Sequence, residues 1–189
     1  GVHGAIAKTA ESTYQHLAPG QQTIARNIFL RLTELGEGTQ DTRRRAALGE
    51  LLPRTANAAE VETVLKLLAD ARLVMTDEDA AEVAHEALIR EWPTLRRWLD
   101  EDREGLRIHR QLTEDAAAWE KTARDVNYLY RGGRLAQARE WAAMPDAALN
   151  ELEQAFLDAG LAQQQDELAA AKATAAREAE VARKLRQRA

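Results

Sequence analysis

Large apolar residues recur every three or four positions through much of the chain, the spacing of one face of an α-helix. Ile6, Ala10, Tyr14 and Leu17 predict a helix over residues 5–17. Pro19-Gly20 reads as a turn, and Gln21 opens a second helix. There Ile24, Ile28, Leu32 and Leu35 share a face, with Phe29 beside them, until Gly36-Glu37-Gly38 stops it. Residues 39–46 read as extended, and residues 48–52 as a helical turn ended by Pro53. Asn57 with Glu60 resembles a capping box. It starts a helix through Ala71 that buries Val61, Val64, Leu65 and Leu68.

The period then changes. Leu73 to Thr76 reads as a strand, Asp77-Glu78-Asp79 as a tight turn, and Glu82 to Ala84 as the return strand of a hairpin. The order is helix, short strand, helix, helix, strand, strand, which is that of a winged-helix domain. From Glu86 the helical period returns. Leu88, Ile89, Trp92, Leu95, Trp98 and Leu99 form a wide stripe, and Pro93 either kinks one helix or opens the next. A long helix then runs to Thr122, with Leu106, Leu112, Ala116 and Trp119 inside. Residues 124–133 read as a loop; Leu135, Ala138 and Trp141 mark a short helix. Leu149, Leu152, Phe156 and Ala159 begin the last one.

Beyond Gln163 the large apolar residues thin to Leu168, Val181 and Leu185 among alanine, glutamine and charge. Propensity favours helix there, but little is left to bury. The segment reads as a protruding helix, a frayed tail or one strand of a coiled coil. It ends without a cap, which predicts a longer parent. The expected fold is therefore mainly α: a winged-helix domain with a small β-hairpin over 1–84, a helical linker domain over 85–160, and an extended charged helix over 161–189.

Composition narrows the chemistry. The 189 residues contain no cysteine, so disulfides and thiolate metal sites are excluded. No apolar run approaches the ~20 residues that span a bilayer, and the start carries no basic or apolar leader. No membrane segment is expected in this chain, and a cytoplasmic protein is. His3, His16, His85 and His109 are scattered, so no metal site is expected. Neither a G-x-x-x-x-G-K-[ST] loop nor a G-x-G-x-x-G after a strand is present. The chain is thus expected to be no enzyme, with no catalytic residues and no cofactor of its own.

The net charge of −5 opposes nucleic acid as the main partner. Arg43-Arg44-Arg45 nevertheless keeps a DNA-binding winged-helix transcriptional regulator as the alternative reading. Against it, the helix that would enter the groove carries Glu60, Glu62 and Asp70 against Lys66. An acidic helix repels the phosphate backbone.

The segment His85-Glu86-Ala87-Leu88-Ile89-Arg90-Glu91-Trp92 stands at the change from mixed to helical sequence. Taken alone, His85 reads as a satisfied histidine at a strand end. The segment belongs to a wider pattern. Gly4-Ala5, Ala10-Glu11, Arg43-Arg44 and Ala71-Arg72-Leu73-Val74 precede it; Leu95, Trp98-Leu99, Leu112-Thr113-Glu114 and Trp119 follow. Leu129-Tyr130-Arg131-Gly132, Leu135, Glu151-Leu152-Glu153 and Phe156-Leu157 complete it. Together these resemble the region after the ATPase core in bacterial STAND-class signal-transduction NTPases, the novel-STAND family often joined to WD-repeat propellers. The resemblance runs to about Gly160, where Ala159-Gly160 departs slightly from the family's ending.

The resemblance implies a regulatory module between an upstream P-loop ATPase domain, which would bind ATP and ADP, and a downstream sensor domain. In related ATPases a winged-helix histidine contacts the β-phosphate of ADP. That role falls on His85, and only with the ATPase domain present. Self-association through the C-terminal helix is a further expected contact.

Overall fold

The computed structural model describes residues 1–189, apart from the side chain of His3. Pro19 and Pro93 each stand in the first turn of a helix, where a missing N–H costs nothing. They open α2 (Pro19–Arg31) and α5 (Pro93–Glu101). Trp92 ends α4 (Glu86–Glu91) and caps α5, so Pro93 begins a new helix rather than kinking an old one. Before these comes α1 (Val2–Gln15). Gln21 returns its side chain to the backbone N–H of Ala18 at 3.1 Å, which places the start of α2 two residues ahead of Gln21.

α2 also stops earlier than its apolar period predicts, at Arg31 instead of Leu35. The β-branched Thr33 pairs with Arg43, and Glu34 with Thr42, as strands β1 (Thr33–Glu34) and β2 (Thr42–Arg43). Strand pairing overrides the helical spacing of Leu35. β3 (Ala46–Ala47), a 3₁₀ turn (Leu48–Leu51) and α3 (Ala58–Asp70) follow. Asn57 caps α3 by accepting from Ala59 N at 2.8 Å, a simple N-cap in place of the expected capping box with Glu60. β4 (Val74–Thr76) and β5 (Ala80–Val83) close the hairpin, with Asp77 Oδ1 accepting from the N–H of Asp79 and Ala80 at the turn. The return strand starts two residues before its expected position. The sheet is antiparallel in the order β3-β5-β4.

The expected continuous helix to Thr122 is broken at Asp102. α6 (Arg103–Lys121) starts there, with Asp102 capping Gly105 N at 2.9 Å. A Cβ on Gly105 would lie 2.0 Å from the Asp102 carboxylate, so this cap requires glycine. α7 (Gly132–Ala142) begins inside the segment expected as loop, and α8 (Glu151–Arg188) is continuous. The chain is mainly helical with small antiparallel sheets, as its periodicity predicts. Among the described residues no helix is long and apolar enough to cross a membrane.

Two apolar cores form. The first gathers α1 to α5 and the sheet around Trp92, whose ring meets Tyr14, Phe29 and Trp98 edge-on at 6.1, 5.1 and 5.4 Å. Such edge-to-face pairs add about 0.5–1.5 kcal/mol each to the area buried. The second joins Leu112, Ala116 and Trp119 of α6 to Leu135 and Trp141 of α7 and Phe156 of α8. α6 belongs to both: Leu106 packs on the first core and Ile108 on the second.

α3 and α6 end with left-handed residues where glycine is usual, Arg72 (φ 60°) and Ala123 (φ 55°). Their following N–H groups close back onto Leu68 O and Trp119 O at 2.9 Å. A side chain in this conformation costs ~1–2 kcal/mol, while glycine adds ~0.4–1 kcal/mol of freedom to the unfolded chain. Ala123→Gly is therefore expected to stabilise the protein by roughly 0.5–1 kcal/mol. Urea unfolding checks this; a lowered midpoint contradicts it.

Candidate functional site

The hairpin closes through Ala84 N to Leu73 O at 2.9 Å, and His85 follows in extended conformation as the N-cap of α4. Its carbonyl accepts from Leu88 N at 3.0 Å, so its backbone is committed to the helix start. Its imidazole is exposed, and no hydrogen bond to it exists among the described residues. Leu88, Ile89 and Trp92 on the same segment are fully buried. The stretch thus offers His85, Arg90 and Glu91 outward and anchors itself with three apolar side chains inward.

α1 fixes that anchor. The Glu11 carboxylate accepts from Trp92 Nε1 at 2.6 Å and from Thr94 Oγ1 at 2.7 Å. Burial raises its pKa, but hydrogen bonds from Gln15, Thr94 and Trp92 win, and it lies below the usual value. Nearby, buried Asp41 accepts from Gly36 N, Arg96 and twice from Arg103, all within 3.0 Å. Burial again opposes the charge, and the Arg103 and Gly36 hydrogen bonds outweigh it. Arg90, Arg96 and Arg103 edge an open groove of about 410 Å³ above Asp41.

The three adjacent arginines do not make a common patch. Arg43 faces Glu82 at 3.5 Å, Arg44 binds Glu50 through both terminal nitrogens, and Arg45 pairs with Asp77. Glu60, Glu62 and Asp70 stand exposed on α3 beside Lys66. The surface a groove-reading helix would present is acidic, and nothing in the structure favours DNA binding.

The polar centre of the molecule lies elsewhere, between the two cores. Arg31 of α2 and Glu153 of α8 are 2% and 1% exposed. Arg31 Nη1 and Nη2 donate to the two oxygens of Glu153 at 3.0 and 2.7 Å, a bidentate pair across 122 residues of sequence. Nη2 also donates to Ala148 O at 2.8 Å, and Nε to Asn27 Oδ1 at 3.3 Å. Glu153 further accepts from Thr113 Oγ1 at 2.6 Å, Asn150 N at 3.0 Å and His109 Nε2 at 3.1 Å. Asn150 takes the Glu153 N–H in return, so this carboxylate also completes a capping box for α8.

The tautomer follows by counting protons. Both Nη2 hydrogens of Arg31 are taken, by Ala148 O and Glu153, so the short approach of His109 Nε2 to Arg31 leaves Nε2 to donate to Glu153. Burial, then the nearby Arg31 charge, lowers the His109 pKa against the pull of Glu153, and the ring is neutral. For Glu153 burial raises the pKa, but the His109 and Arg31 hydrogen bonds hold it well below the carboxylate range. Glu50 extends the network. It holds Arg44, lies 3.6 Å from Arg31, and accepts through its carbonyl from Asn150 Nδ2 at 3.3 Å. Arg110 is pushed down to about 10, by burial and then by its neighbour Arg44.

Sequence reasoning does not find this joint. Arg31 sits between Ile28 and Leu32, and His109 between Leu106 and Leu112. The legible signals are a charge beside an apolar stripe and the Asn150–Glu153 capping-box spacing. Neither names its partner.

Among protein families, residues 1–127 match the model of Novel STAND NTPase 1. No curated protein and no solved structure matches the chain.

Breaking a buried pair by removing one charge strands the other, at ~3–5 kcal/mol. Glu153→Gln is expected to cost that much in urea unfolding; a loss under about 1 kcal/mol contradicts the assignment. His109, below its ordinary 6.5, refuses a proton that the unfolded chain accepts. Its contribution is complete above about pH 6.5 and declines as pH falls. Glu153, below its ordinary 4.5, adds a second loss of the same sign under about pH 4.5. His109→Gln is expected to flatten the first slope only, in unfolding midpoints measured from pH 7 to 4.

Proposed function

The chain belongs to the novel STAND NTPase 1 family, and on that premise we propose that it is a non-catalytic regulatory module. It couples the nucleotide state of an upstream P-loop ATPase domain to a downstream sensor domain of the same parent. The proposal includes a winged-helix reading of the first core. α2, β3, the 3₁₀ turn, α3, β4 and β5 follow in the order of that fold, and the pairing of β3 with β5 fits it. ATP and ADP belong to the parent's ATPase half, and His85 is the residue that meets the nucleotide.

The observation that carries the reading is the exposed, unengaged imidazole of His85 on a segment that Leu88, Ile89 and Trp92 anchor in the core. An imidazole N–H donates to a phosphate oxygen, and a hydrogen bond to a charged group contributes roughly 1.5–3 kcal/mol. That is enough to shift an open–closed equilibrium by roughly 10- to 100-fold. α4 is short and packed against α1, so movement at His85 carries α4 with it.

His85→Ala in a parent carrying the ATPase domain is expected to release ADP roughly 10- to 100-fold faster and to raise basal activation. The exposed position makes the substitution harmless to the fold. Release of ADP at the unaltered rate in a stopped-flow experiment overturns the proposal.

A further inference from the structure

α8 leaves the second core at Gln163, and from Gln164 onward every residue is exposed. Leu168, Val181 and Leu185 are 55%, 58% and 61% exposed on this free segment. Leu161 and Leu168 are seven residues apart, and Ala175 and Ala182 continue the same heptad position. Ala171, Glu178 and Leu185 fall at the companion position of the seam. The charge is uneven along it: Asp166 and Glu167 lie near the root, and Arg183, Lys184, Arg186 and Arg188 near the tip.

We propose that this segment pairs with the same segment of a second copy of the chain as an antiparallel coiled coil. One register pairs the two leucines and opposes the charges of root and tip, with one glutamate per copy left in the seam. Leu168 meets Leu185 of the second copy, Ala171 meets Ala182, and Ala175 meets Glu178, with each contact repeated by the two-fold axis. The leucines close the ends, and the alanine layers let the helices approach closely between them. The flanking position sets Glu167 against Arg188 and Thr174 against Val181, so the third exposed apolar side chain is also covered. A parallel pair in register would instead set the two Glu178 side chains against each other in one seam layer, and is disfavoured by that like charge. Glu167 now faces the exposed Arg131 at 3.6 Å and accepts from Gln163 Nε2 at 3.2 Å, surface contacts weak enough to exchange.

The test uses the full chain, which contains no native cysteine. Leu168→Cys and Leu185→Cys are made separately; both sites are exposed, so the fold is kept. In a glutathione redox buffer, a mixture of the two variants is expected to form a disulfide-linked heterodimer. Either variant alone stays unlinked, because like positions lie about 25 Å apart in this register. Linkage of Leu168→Cys alone at the rate of the mixture means parallel pairing and overturns the proposal. Absence of linkage in the mixture at high micromolar concentration overturns it as well. Leu168→Glu is expected to abolish dimer in sedimentation velocity while leaving helix content unchanged.

Discussion

The Arg31–Glu153 pair is the constraint on which the rest of the structure depends. Two apolar cores would otherwise meet without a fixed relation, because apolar contact is non-directional. A bidentate guanidinium–carboxylate pair has one geometry. Its position sets α2 against α8 with no slack, since His109, Thr113 and Asn150 occupy the remaining sites on the carboxylate. Stability is not the main return. Desolvating two charges costs several kcal/mol per ion, and apolar replacements of similar volume often do as well. The gain is a unique orientation between the cores. Glu50 strengthens it from the first core: its side chain holds Arg44 and its backbone holds Asn150, beside the N–H of Arg54 on Leu149 O.

This joint gives the exposed His85 a physical continuation. Trp92, seven positions along the chain on the buried end of the same segment, meets Phe29 at 5.1 Å. Phe29 and Arg31 share α2. A displacement at the hairpin end therefore meets rigid packing as far as Glu153 and the start of α8. The joint is also where a displacement must resolve, because a bidentate pair with saturated acceptors resists small deformation. It either moves as a body or breaks.

Much of the fold is legible in the sequence because it rests on local periodicity. The stripe of Ile24, Ile28 and Leu32 and that of Val61, Val64, Leu65 and Leu68 identify their helices and buried faces directly. Where the reading fails, a contact outside the apolar period decides. Leu35 continues a helical period, yet the pairing of Thr33 with Arg43 ends α2 before it. Asp102 looks like one more charge on a helix face until Gly105 supplies the N–H that makes it a cap. The joint is hidden for the same reason. His109 passes for a scattered histidine, since nothing near it in sequence announces Glu153. His85 differs, because its proposed role rests on a joint pattern of motifs and its local geometry on a strand end running into a helix start.

α8 unites the buried and exposed parts of the molecule. Its first turns carry Glu153 into the joint and Phe156 into the second core, and the same helix runs on to Arg188. Its N-terminus is held by a reciprocal cap built from the very carboxylate that binds Arg31. Proline is absent from it, and Gly160 is closely packed, with a Cβ there lying 3.1 Å from Tyr130 O. The helix therefore has no hinge where it leaves the core. At 1.5 Å per residue the exposed part projects roughly 40 Å. A load on that lever does not dissipate in a flexible linker. It turns the helix whose first turn is the acceptor of the joint, so whatever engages the exposed segment acts on the geometry between the two cores.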